Sequence, residues 1–100
     1  MIVRFHLDPE TGLPHIYEHG VTEDEVHDIL HSRRAEDVPA SGDSRMRLGQ
    51  TKTGRYLQVT YVPDEEGDGV FVITAYELKT KAKRAYRRRQ RRKPKRRKPK

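Results

Sequence analysis

The sequence predicts an α+β domain with a four-stranded, mainly antiparallel sheet and helices on one face of that sheet. A well-marked helix start in the first third of the chain and three strand-like segments in quick succession after it support this prediction. A strongly basic segment follows them. We expect one domain over residues 1–90, including a basic C-terminal helix, and a disordered basic tail over residues 91–100.

The N-terminal third is predicted to contain one strand and two helices. Alternation of apolar and polar residues predicts a strand over 2–7, and Pro14 can begin a short helix over 14–19. Thr22 followed by Glu25 is the pattern of a capping box, which predicts a helix from 23 to about 33. Residues 35–44, rich in Pro, Gly, Ser and Asp, are expected to form a loop.

The remainder is predicted to be a three-stranded meander over 45–50, 55–62 and 70–76, followed by a helix from about 79 to 92. Strand alternation assigns one apolar set to the face under the helices: Met46, Leu48, Leu57, Val59, Tyr61, Phe71, Ile73 and Ala75. It assigns a second set to the opposite, open face: Arg4, His6, Arg45, Arg47, Tyr56, Gln58, Thr60, Val70, Val72, Thr74 and Tyr76.

The charges are divided unevenly along the chain. Residues 1–78 hold all 15 acids and only 7 bases, a net charge of −8, whereas residues 79–100 hold 15 bases and no acid. Lys and Arg that neutralise phosphates release condensed counterions whatever the base sequence, so RNA, DNA or an acidic partner is expected. The alternative is a solvated tail that keeps an acidic domain in solution or folds back onto it. The tail contains the five-residue sequence RRKPK twice.

Several classes of protein are disfavoured by what the sequence lacks. It has no Cys, hence no disulfide framework or thiol nucleophile, and we expect a cytoplasmic protein. No apolar run is long enough for a signal peptide or a membrane span, and no phosphate-binding glycine loop occurs. His15 with His19, and His27 with His31, have the i, i+4 spacing of helical metal ligands, and Asp24 is a possible third ligand one turn before His27. The Glu of a metalloprotease motif is absent and no Cys supports a structural site, so we expect no metal or other cofactor.

Three motifs, in this order, resemble the BrnT-like toxins of the RelE-type ribonuclease superfamily and related small bacterial domains of unassigned role. The motifs are HGVT at 19–22 before an acidic helix, the hairpin LGQT to GRYL at 48–57, and VITA at 72–75 before a basic helix that reaches Tyr86. The resemblance covers about residues 1–88. It implies a RelE-like fold, metal-independent cleavage of RNA, and a partner antitoxin that holds the toxin inactive.

Departures from the pattern of these toxins leave two functions open. Glu18 stands where a Lys is usual, Tyr76 where an Arg is usual, and Ala82 where the last helix has an acid. The chain is therefore either a toxin-like protein that binds and cleaves RNA, or a catalytically silent module with the same fold that binds nucleic acid or the ribosome. Enzymatic activity stays open at this point.

Cleavage of RNA without a metal needs a base, an acid and cations around the phosphorane. The candidate catalytic residues are His19, Arg47 and Tyr76. The candidate nucleic-acid-binding residues are Arg4, His6, Arg45, Tyr56, Lys79, Lys81, Lys83, Arg84, Arg87, Arg88, Arg91 and Arg92. On an open sheet face the same Arg and Tyr residues are equally explained as surface residues paired across strands.

Overall fold

One mixed sheet organises the protein in a computed structural model that describes residues 1–65 and 67–92. The strands are β1 (Ile2–Phe5), β2 (Glu36–Pro39), β3 (Arg45–Gln50), β4 (Tyr56–Pro63) and β5 (Gly69–Glu77). Their order in the sheet is β1-β5-β4-β3-β2, with β1 parallel to β5 and the other pairs antiparallel. A 3-10 helix (His15–His19) and the helices α1 (Glu23–Leu30) and α2 (Thr80–Arg92) complete the elements. The predicted α+β class is confirmed.

The start of α1 follows from the capping box that the sequence contains. The Glu25 amide donates to the Thr22 hydroxyl at 3.2 Å, and the Thr22 amide donates to the Glu25 carboxylate at 3.0 Å. Burial alone would raise the pKa of Glu25, but hydrogen bonds from the Thr22 amide and the Arg55 guanidinium outweigh it and hold the pKa below its ordinary value. The expected helix start is confirmed, although α1 ends at Leu30 rather than near residue 33.

The main core lies between α1, the 3-10 helix and one face of the sheet, here called the α1 face. Its buried residues are Ile16, Val21, Val26, Ile29, Leu30, Leu57, Val59, Tyr61, Val70, Val72 and Ala75. Leu57, Val59, Tyr61 and Ala75 were expected on the covered face, and that part of the prediction is confirmed.

The predicted orientation of β3 is wrong. Arg45, Arg47 and Gly49 pair directly with Tyr61, Val59 and Leu57, and directly paired residues of antiparallel strands point to the same face. These three residues therefore lie on the α1 face, while Met46 and Leu48 point to the opposite one. A Cβ at Gly49 would lie 3.1 Å from the Ala35 Cβ, so the close approach of the chain after α1 favours a glycine there.

Half of β5 was also assigned to the wrong face, because its pairing with β4 changes register. Thr60 pairs with Thr74, but the next residue, Tyr61, pairs with Val72. The irregularity turns Val70 and Val72 onto the α1 face and Phe71 onto the other, the reverse of the prediction.

The second face of the sheet is covered over part of its area by α2, so the helices do not all lie on one face as expected. Leu48, Leu78 and Tyr86 form a second buried cluster, against which Val38 and Tyr56 pack. We call this the α2 face. The fifth strand, β2, lies in the segment predicted to be a loop, and α2 reaches Arg92 as expected.

The structure describes only the first two residues of the predicted disordered tail, which covers residues 91–100. Arg91 and Arg92 are part of α2, and residues 93–100 of the predicted disordered tail lie outside the described residues. Within the described part, no helix combines the length and the apolar character needed to cross a membrane.

Candidate nucleic-acid interface

The basic segment over residues 79–92 presents one side to the sheet and its charges to solvent. Leu78 and Tyr86 are buried against Leu48, and the Tyr86 hydroxyl donates to the Arg34 carbonyl oxygen at 2.9 Å. Burial raises the pKa of Tyr86 above its ordinary value. The helix is thus fixed in orientation by an apolar contact at its middle and a buried hydrogen bond.

Most of the positive charge of this segment is not neutralised by the acidic body. Nine bases lie between residues 79 and 92. Among the described residues only Arg89 has a carboxylate within ion-pair distance, Glu36 at 2.8 Å. Gln90 also donates to Glu36, at 3.1 Å. The other eight bases are available to phosphates, which argues against a helix that simply folds back onto the acids.

A groove runs along α2, and we call it the arginine groove. Its lining residues are Ser32, Arg34, Gln50, Tyr56, Tyr86, Arg87, Gln90 and Arg91. Three of these are arginines and none is an acid. Guanidinium groups bind phosphate oxygens in bidentate geometry, so such a groove can hold one or more phosphates of a nucleic acid.

Tyr56 lies in the arginine groove among cations. The Lys83 ammonium lies 5.5 Å and the Arg87 guanidinium 6.0 Å from the centre of its ring, and the Tyr86 ring meets it edge-on at 5.9 Å. These contacts hold two of the predicted binding bases, Lys83 and Arg87, beside the groove. The arrangement places an aromatic ring and positive charges where a nucleotide would need both.

Sequence analysis missed five residues of the arginine groove: Ser32, Arg34, Gln50, Tyr86 and Gln90. Arg34 donates to the Gln90 side chain at 3.3 Å, which links the end of α1 to α2. The pair Arg33-Arg34 in an otherwise acidic segment was the available signal. Gln50 and Gln90 carry no comparable signal in the sequence.

A second concavity, here called the His19 cleft, lies where β5 leads into α2. Its lining residues are His19, Gln58, Tyr76, Glu77, Leu78, Lys79 and Ala82. The rings of His19 and Tyr76 are 5.8 Å apart at their centres, and Gln58 donates to the Tyr76 hydroxyl at 2.8 Å. Two of the candidate catalytic residues and the candidate binding residue Lys79 are therefore brought together.

The third candidate catalytic residue, Arg47, is on the other face of the sheet. Its guanidinium donates to the Ile29 carbonyl oxygen at 3.0 Å, to the Ser32 carbonyl oxygen at 2.9 Å and to the Asp37 carboxylate at 2.7 Å. These bonds fix the end of α1 and the turn after it to β2 and β3, in addition to the Ser32 and Ala35 amides that donate to the same two carbonyls at 3.3 and 3.4 Å. The placement of Arg47 beside His19 and Tyr76 was wrong, because the alternation in β3 was assigned to the wrong faces.

Arg4, His6 and Arg45 lie away from the arginine groove. Arg4 forms an ion pair with Asp64 and lies over the Phe71 ring at 5.6 Å. The His6 ring is 6.4 Å from that of Phe71. Arg45 begins β3, whereas Gln50 of the groove ends it. The structure thus separates these three predicted binding residues from the bases of α2.

Comparison with known proteins gives no relative to set beside this geometry: no family model, curated protein or solved structure matches the chain.

Proposed function

We propose that this protein binds RNA, free or on the ribosome, as the toxin-like component of a bacterial toxin-antitoxin system with a RelE-like fold. The single observation that carries the RNA-binding proposal is the set of eight bases over residues 79–92 that have no carboxylate partner in the described chain. They lie on a helix anchored to the sheet, so binding needs no rearrangement of the domain. The toxin assignment depends on the motif resemblance.

The arginine groove provides the binding site in this proposal. Arg34, Arg87 and Arg91 approach the groove from two elements and would hold successive phosphates, and Tyr56 offers a ring beside them. Contacts to phosphates carry no sequence information, so we expect affinity that depends steeply on salt and little on base sequence.

Cleavage of RNA is proposed at the His19 cleft. The His19 imidazole can act as the general base that takes the proton from a 2′-hydroxyl, and the Lys79 ammonium can stabilise the charge that develops on the phosphate. Tyr76 can stack a base or donate a hydrogen bond. All three residues line the same cleft, next to the first turn of α2.

A second candidate function is a catalytically silent module that binds RNA or the ribosome through the same groove. The position of Arg47 favours this silent module, because its guanidinium donates to carbonyl oxygens near the end of α1 and does not line the His19 cleft. Without Arg47, Lys79 is the cation among the residues that line the His19 cleft, so an enzyme would have one cation fewer than the sequence predicted for stabilising the transition state.

Binding is tested by titrating a labelled single-stranded RNA with the full-length protein at several salt concentrations. The double variant Arg87→Ala/Arg91→Ala should weaken binding by roughly tenfold or more and make the log–log salt slope shallower by about 1 to 2 units. Arg45→Ala is the matched control, because it removes an arginine at the far end of β3 and should change affinity little. Equal effects of both changes would reject the groove as the binding site.

Cleavage is tested separately with the same RNA and with induced expression in a bacterial host, with and without the product of the neighbouring gene. Slowed growth and cut RNA that are lost in His19→Ala, while RNA affinity is kept, support the toxin. Normal growth and intact RNA, with binding still present, support the silent module.

A further inference from the structure

Asp8, His15 and Glu18 form a cluster of metal-ligating side chains outside the arginine groove and the His19 cleft. One ligand atom from each residue lies within 4.8 Å of those of the other two. The His15 Nδ1 atom is 3.1 Å from the Asp8 carboxylate. The sequence suggested a pairing of His15 with His19, but the fold supplies two carboxylates to His15 instead.

The backbone around the cluster is closed by hydrogen bonds. The Asp8 amide donates to the Leu13 carbonyl at 2.9 Å, and the His15 amide donates to the His6 carbonyl at 2.9 Å. Glu18 follows His15 by three residues in the 3-10 helix, and residues at this spacing lie one above the other. The three side chains are therefore held on one side of a tight loop.

The carboxylates of Asp8 and Glu18 lie close together, and few positively charged side chains lie beside them. In the part of the chain that the structure describes, the ion-pair partner of Asp8 is His15, and Glu18 has none. The Asp8 and Glu18 carboxylate oxygens and a His15 ring nitrogen are therefore close enough to be drawn onto one shared cation.

Two further imidazoles lie beside His15. The His19 ring centre is 5.2 Å and the His6 ring centre 5.9 Å from that of His15. Imidazole and carboxylate together are the ligand set of zinc and similar divalent transition metals, whereas calcium and magnesium prefer oxygen ligands alone.

We propose that Asp8, His15 and Glu18 bind one divalent transition-metal ion of the zinc class, with an open coordination position. Binding draws the three ligand atoms to about 2.0–2.2 Å from the ion, which side-chain rotation can supply because Glu18 is exposed. Three protein ligands leave a fourth position for water. The site uses no residue that lines the arginine groove or the His19 cleft, although the His19 ring lies 5.2 Å from that of His15.

The site is tested on the full-length, tag-free protein, freed of metal with a chelator and titrated with Zn²⁺ by calorimetry and by NMR. We expect saturable binding of one ion, a rise in melting temperature with Zn²⁺, and chemical-shift changes centred on His15. Glu18→Gln and His15→Ala should each weaken binding by about tenfold or more.

The pair His27 and His31 is the matched control, because its rings stack at 5.9 Å at the C-terminal end of α1, outside the proposed cluster. The His31→Ala variant should keep the affinity of the unchanged protein, since His31 already bonds the His27 carbonyl oxygen at 3.0 Å. Glu18→Gln removes one charge from an exposed residue and keeps the proposal testable if His15→Ala does not fold. Absence of saturable binding, or a loss in His31→Ala as large as in the cluster variants, would overturn the proposal.

Discussion

Arg47 shows how a single residue can have a structural role although its chemistry suits catalysis. Its three hydrogen bonds reach two carbonyl oxygens near the end of α1 and the Asp37 carboxylate of β2. Its side chain is only 18% exposed. A guanidinium in this position joins the end of α1 to β2 and β3 at once.

We therefore predict that Arg47→Ala destabilises the domain by about 1.5–3 kcal/mol, because partly buried carbonyl groups lose a charged donor. Urea unfolding measures the change. Arg45→Ala, also in β3 but exposed, should cost less than about 0.5 kcal/mol. An Arg47→Ala protein of unchanged stability that has lost RNA cleavage would instead restore a catalytic role.

Glu25 makes the stability of α1 depend on pH. Its pKa is lowered in the folded protein, so its contribution is fully present above the unfolded value and is lost as the pH falls through the folded value. We predict that the melting temperature falls as the pH drops below about 4.5, more steeply in the unchanged protein than in Glu25→Gln. Gln keeps the acceptor for the Thr22 amide but removes the charge, which isolates the titration. Parallel pH profiles for the two proteins would contradict this.

Among the elements, those defined by local signals were predictable and those defined by distant partners were not. Thr22 and Glu25 act within one helical turn, so the sequence alone locates the start of α1. In β3, Met and Leu alternate with Arg and Gly, and the apolar pair was assigned to the main core. The structure packs Leu48 under α2 instead, because Gly49 must admit Ala35 on the α1 face.

The candidate site was predictable to a similar extent. The bases of α2 follow directly from the sequence, whereas the contact between the His19 and Tyr76 rings comes from the fold. Arg34 and Gln50 reach the arginine groove only through tertiary packing, which no local pattern encodes. β2 was missed because its sequence, EDVP, is polar and ends in proline, and its pairing with β3 decides its conformation.

Tyr86 is the residue that anchors α2 to the sheet. Tyr86→Ala removes a buried ring and the hydrogen bond to Arg34 without changing the charge. We predict that amide hydrogen exchange in α2 accelerates and RNA affinity falls by roughly fivefold or more, because the bases lose their fixed arrangement. Tyr86→Phe is the control and should show a smaller effect on both. Undiminished affinity in Tyr86→Ala would mean that charge alone, without an ordered helix, binds RNA.

For the whole molecule, the separation of charge is the dominant feature. Residues 93–100 contain six bases and no acid or large apolar residue. Deleting them should leave the melting temperature nearly unchanged and make the salt slope for RNA binding shallower by up to about 4 units, at about 0.7 per phosphate contact. Circular dichroism and the same RNA titration measure the two effects. A changed melting temperature with an unchanged slope would show that these residues act on the domain rather than on RNA.

The parallel pairing of β1 with β5 joins the first strand to the last strand along the chain, with Ile2 beside Gly69. The antiparallel pairs close shorter loops, whereas this pairing closes a loop from residue 2 to residue 69, which costs more chain entropy. The order of folding should therefore be the meander first and β1 last. Val3→Ala removes part of the apolar contact between β1 and the main core. It should speed unfolding in stopped-flow experiments while leaving the folding rate almost unaltered. The N-terminal strand would then determine how long the folded protein lasts, rather than how fast it forms.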